Sequence, residues 1–165
     1  MLTRLSLLVV VFFTCTLFAQ QKPDQSSTTC TFADGNQVTI RYPQLAYNKT
    51  TRLPEGKPWP PESTPIYLFS QSDLILGQTT IPAGAYSVYT VSGKKDSWDF
   101  VVSRDVSKDG HYDASKDLGR VAMQTGSLDD STSHLTAYFG HTAPKTCALR
   151  VDYGKERGYT DFKEK

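Results

Sequence analysis

The chain has 165 residues, with 18 Lys and Arg against 17 Asp and Glu, a formal net charge of +1 and 12% aromatic residues. That length suits one domain large enough to bury a core. The even charge balance, with no cluster of Lys or Arg, argues against a nucleic-acid partner, because phosphate binding needs grouped cations.

Met1 to Arg4 carries one positive side chain, Leu5 to Phe18 is almost unbroken apolar sequence, and Ala19 precedes the polar run QQKPDQSSTT. A charged start, a short apolar core and a small residue predict a secretory signal peptide over 1–19. The apolar run falls short of the roughly 20 residues a membrane span needs, which counts against an N-terminal anchor. Acylation at Cys15 is disfavoured because Thr14 precedes it and apolar residues continue after it. The expected product is exported to the periplasm or beyond, without a transmembrane segment. Loss of Arg4 leaves 17 basic against 17 acidic residues, a net charge of zero.

Residues 20–29 show no apolar period and read as a flexible leader before a domain at 30–165. Two cysteines remain after cleavage, Cys30 and Cys147. In an oxidising compartment they are expected to pair and close nearly the whole domain into a loop. The alternative is two buried thiols.

From there the period is two. Val38, Ile40 and Tyr42 alternate with Gln37, Thr39 and Arg41, which predicts a half-buried strand after the turn at Asp34–Asn36. Residues 43–65 hold six prolines, which cannot donate to a ladder, and predict a long loop or an edge crossing. Strands are then predicted at Ile66–Ser70 and Asp73–Leu76, with a turn at Ile81–Gly84. AYSVYTV (85–91) and WDFVVS (98–103) predict an antiparallel hairpin. Further strands are expected at 120–123, 134–139 and 147–153. No dozen residues show a helical period. The reading is all-β: a single-domain antiparallel sandwich of roughly eight strands.

IPAGAYSVYTV, WDFVVS, GHYDASKDLGRVAM, HLTAYFG and CALRVDYG follow one another in this order. The series resembles DUF2911, a bacterial exported domain of unknown function, from Leu74 to Tyr153. The family carries an AGxYS turn, a Trp-led return strand and a Tyr-Asp…Asp…Arg-Val segment. It ends in a strand whose usual Trp is Tyr153 here. A Trp-Arg-x-Gly-Ala-Asn-Glu stretch of the family is replaced by Trp59-Pro60-Pro61-Glu62-Ser63-Thr64-Pro65, so the Arg and Asn are gone. The resemblance implies a secreted β-sandwich and no particular activity.

The chemistry-bearing residues are sparse. The histidines are His111, His134 and His141, and there is no G-x-S-x-G elbow. His134 and His141 lie an odd number of positions apart, which opposes their side chains on one strand. Oxygen-bearing residues alternate through Asp105, Ser107, Asp109 and Asp113 with Gly110 at the sixth position, imitating a calcium loop. The twelfth position is Lys116 rather than a carboxylate, so an ordinary solvated loop is preferred and no metal or cofactor is predicted. Tyr112, Asp113, Asp117 and Arg120 form the candidate ligand site, for a small molecule or an envelope component. Arg120 is either a structural lock onto Asp117 or Asp113, or a ligand anchor. No catalytic residue is assigned. A small-ligand-binding or envelope-structural module is the preferred function, with a periplasmic hydrolase using carboxylates or histidine of the 105–120 loop as the alternative.

Overall fold

The alternation at Val38, Ile40 and Tyr42 does what it predicts: all three are buried on one face of their strand. The protein, seen in a computed structural model, is described for residues 24–49, 53–60, 64–93, 97–106 and 111–165. The predicted signal peptide and the first residues of the leader lie outside these, as do residues 107–110 of the calcium-like loop. Among the described residues no helix is long and apolar enough to cross a membrane.

Among the described residues twelve strands form, all in antiparallel ladders: β1 (Gln25–Thr31), β2 (Gln37–Pro43), β3 (Pro58–Trp59), β4 (Ile66–Ser70), β5 (Leu74–Leu76), β6 (Thr79–Ile81), β7 (Gly84–Ser92), β8 (Trp98–Ser103), β9 (Asp117–Ser127), β10 (Thr136–Ala143), β11 (Thr146–Tyr153) and β12 (Glu156–Glu164). The main path runs β1-β2-β4-β7-β8-β9-β12-β11-β10. The predicted hairpin of β7 and β8 is present, with Val88 opposite Val102 and Ser92 opposite Trp98.

The all-β antiparallel class is as expected, but the sheet is a nearly closed barrel rather than a clear sandwich. The reason is β9. Its first part pairs β8 through Met123, and its last residues, Gln124 to Ser127, pair β12. One long strand thus joins what would have been two separate sheets. At the other end of the path the gap between β1 and β10 is narrow. The Phe139 amide donates to Thr28 Oγ1 across it, at 3.1 Å, and the Cys30–Cys147 disulfide ties β1 to β11.

Residues 25–29, expected to be a flexible leader, are instead most of β1. They lack an apolar period because the strand faces the seam with small hydroxyl side chains. Ser26 and Thr28 are half-buried and only Cys30 is buried. Ser26 accepts from Gln44 Nε2 at 2.7 Å, and Thr29 and Thr39 share a hydroxyl hydrogen bond. Within the long proline-rich segment, Pro58 and Trp59 add a short strand to the edge of β7 that β4 leaves free.

Among the described residues the interior is closely filled. Phe162 meets Phe100 and Phe139 edge-on, with ring centroids 5.7 and 5.9 Å apart. Tyr153 plugs one end against Tyr47 and Trp59, and its hydroxyl donates to the Ala46 carbonyl. The void among Ile40, Val88, Phe100, Leu149 and their neighbours has a volume of about 10 Å³, no more than one water needs.

Candidate functional site

β7 shows no alternation because both of its faces are covered. Tyr86 and Val88 belong to the barrel core, while Tyr89 and Val91 lie on the opposite face with Val101 of β8. Tyr112 lies against that outer face. There the Tyr112 ring stands edge-on to Tyr89, with centroids 4.9 Å apart.

Three of the four predicted site residues meet at this point. The Tyr112 hydroxyl donates to Asp117 Oδ2 at 2.7 Å and accepts from Arg120 Nη2 at 3.1 Å. Arg120 also lies 3.6 Å from Asp117 Oδ2 and 3.6 Å from Asp99 Oδ2, the latter a neighbour on β8. Asp99 was not foreseen, because the pairing that brings β8 beside β9 is not a local signal. Burial, then the carboxylate of Asp117, raises the Tyr112 pKa above its usual 10.0. Burial alone would lower the Arg120 pKa; the Tyr112 oxygen and the charges of Asp117 and Asp99 outweigh it and raise it.

Asp113 does not join them. It caps the 3-10 turn Ala114–Lys116, accepting from the Ser115 amide at 2.9 Å. The bonds from Ser115 hold its carboxyl below the usual range. The remaining residues form a clasp: a ring lies over a small apolar patch, and its hydroxyl is held between a carboxylate and a guanidinium. The Tyr112 hydroxyl is held from both sides, so the arrangement fixes Tyr112 and the turn that follows it to the sheet.

The histidines sit on three different segments. His134 lies before β10, bridged to Ala46, with its Nδ1 2.9 Å from the hydroxyl of the adjacent Ser133. It borders an open cleft of about 540 Å³ lined largely by hydroxyls, among them Ser26, Thr132 and Thr136. His141 is exposed on β10, opposite Cys147. Among the described residues, no three of His, Cys, Asp or Glu converge as metal ligands.

A second groove lies on the outer face beside β12, a strand the sequence reading missed. Its volume is about 460 Å³, and Ile75, Val121, Gln124, Tyr159, Asp161 and Lys163 line it. The signal was the alternation of Tyr159, Asp161 and Lys163 with Thr160 and Phe162.

A family model, "Protein of unknown function (DUF2911)", matches residues 24–159. No curated protein and no solved structure matches the chain. The protein belongs to the DUF2911 family, and the matched region begins at the residue before β1.

Proposed function

We propose that this member of the DUF2911 family is an exported, non-catalytic module that binds a small ligand or an envelope component from its outer surface. The observation that carries the reading is the filled barrel interior. Barrels that carry a ligand inside leave a cavity for it, and here the interior void is about 10 Å³. Any ligand must then be met on the outside. The polar constellation of Tyr112, Asp117 and Arg120 supports a structural rather than a chemical role, because the Tyr112 hydroxyl is held between the Asp117 carboxylate and the Arg120 guanidinium. Export is supported by the tripartite N-terminus and by a buried disulfide, a bond that lasts in oxidising compartments.

A hydrolase screen of the pure protein is the test of the non-catalytic reading, and no turnover is expected. Turnover abolished by Asp113→Asn or His134→Ala would establish the hydrolase instead. N-terminal sequencing of protein recovered from the envelope is expected to begin near residue 20. An intact Met1 on cytoplasmic protein would refute export.

A further inference from the structure

On the outer face of the barrel, one edge of β12 changes partner. β9 pairs it from Glu156 to Tyr159, and β5 pairs it from Phe162 to Glu164. Between these ladders, Thr160 and Asp161 have neither strand beside them, and the groove of about 460 Å³ opens at the split. Its volume is in the range of small-molecule sites, roughly 300–1,000 Å³. The turn of the β5–β6 hairpin forms one wall. At Gly77, with φ +60°, a Cβ would approach Val121 Cγ2 to 3.2 Å, so the turn abuts β9 closely.

The side chains around the split share one chemistry. Tyr159 is 38% exposed, whereas Tyr42, Tyr86, Tyr89 and Tyr153 are buried. Gln124, its partner across the ladder, is exposed too, as are Asp161 and Lys163 further along β12. Alternate residues of a strand project from one face about 6.6 Å apart, so Tyr159, Asp161 and Lys163 span about 13 Å. None of the four makes a side-chain hydrogen bond or ion pair with another described residue. Two neighbouring cations are committed: Arg157 is bidentate to Asp152, and Arg150 lies over the Tyr138 ring.

We infer that this groove is a binding site for an uncharged oligosaccharide. An exposed ring offers an apolar face to the C–H side of a sugar. An amide, a carboxylate and an ammonium supply both donors and acceptors for hydroxyl groups. One negative and one positive side chain cancel, so the groove has no net attraction for a polyanion or a polycation. Ile75 and Val121 add apolar contact at the wall. The inference rests on the reading of the protein as a module that binds from outside, and it names that module's ligand class.

The test is an NMR titration of the purified exported protein with cellohexaose, xylohexaose and chitohexaose, and with hexagalacturonate as the charged comparison. Saturable shifts centred on Gln124, Tyr159, Asp161 and Lys163 are expected with at least one neutral oligosaccharide. Tyr159→Ala should weaken that binding about tenfold or more while lowering Tm by only a few degrees, because the residue lies on the outer face and is 38% exposed. Tyr159→Phe should keep the affinity within about threefold, since the face is retained. No saturable shift with any of the three neutral probes, or binding of hexagalacturonate alone, would overturn the inference. Neutral binding that Tyr159→Ala leaves intact would also overturn the groove while leaving the module reading standing. Cleavage of any probe would overturn the module reading itself, and the inference with it.

Discussion

Replacing both disulfide cysteines by alanine should be the most damaging pair of conservative changes in the protein. Cys30 and Cys147 are 117 positions apart, so their bond closes a loop that takes in most of the domain. In the chain-entropy treatment a loop of that length stabilises the fold by about 5 kcal/mol, by restricting the unfolded chain. The bond also crosses the seam, where β1 and β10 are joined only through contacts such as the Phe139 amide on Thr28. Removing it should therefore loosen β1 first. Both residues are buried, Cys147 completely, and alanine avoids leaving a hydroxyl without a partner there. Guanidinium unfolding followed by fluorescence of the buried Trp59 and Trp98 gives the measurement. The double variant should lose about 5 kcal/mol, or roughly 15 °C in Tm at 2–4 °C per kcal/mol. A loss under about 1 kcal/mol, with β1 amides still protected from exchange, would refute the reasoning.

The Tyr112 clasp should rank its own variants. Arg120→Lys should cost at most about 1 kcal/mol, because the guanidinium is 45% exposed and its pairs are screened. Tyr112→Phe should cost more, about 1–2 kcal/mol by chemical unfolding, since it takes the short bond from the largely buried Asp117. The reverse ranking would mean that the guanidinium, not the ring hydroxyl, holds the clasp. Gly158→Ala should destabilise by about 1–3 kcal/mol, because a Cβ there would lie 2.6 Å from Trp98 Cε3 and 3.1 Å from Met123 Cε; an unchanged unfolding midpoint would contradict this packing. Stability should also fall in alkali. Burial, ahead of other causes, raises the pKa of Tyr67, Tyr86, Tyr89, Tyr112 and Tyr153 above the ordinary 10.0. Each favours the folded state fully below pH 10 and loses that contribution as the pH rises through its folded value. A Tm series from pH 8 to 11.5 should therefore be flat and then drop, and a level curve to the end would count against it.

The strands that could be read from the sequence are those whose two faces differ. β2 shows this in Val38, Ile40 and Tyr42, and β11 in Cys147, Leu149 and Val151, all buried at alternate positions. β7 and β8 were legible for the opposite reason: dense β-branched and aromatic residues mark strands covered on both faces. β1 and β12 were missed because their inward positions are not apolar enough. On β12 these are Gly158, Thr160, Phe162 and Glu164, with a single hydrophobe among charged neighbours. Gly158 is small there because Trp98 and Met123 already fill the space, and that requirement comes from β8 and β9, far away in the chain. The choice between barrel and sandwich turned on β9 running on to pair a second strand, which the polar sequence QTGS does not announce.

The same logic explains why the clasp was half legible and the groove was not. Tyr112, Asp117 and Arg120 lie within nine residues; the three-residue spacing suggests that Asp117 and Arg120 can pair, and the structure places the Tyr112 hydroxyl between them. Asp113 failed because a carboxylate just before a tight turn is drawn to the turn's free amides, a local competition that the Arg120 guanidinium does not win. The groove has no such local cause. It exists because β12 exchanges β9 for β5 in mid-strand, and Gln124, Tyr159 and Ile75 become neighbours only through that exchange. Its outward stripe of Tyr159, Asp161 and Lys163 reads as an ordinary solvated face until the split beside it is known. A surface site built this way is carried by the topology, so substitutions that shift the β5–β6 turn at Gly77 should affect it as directly as changes to the side chains that line it.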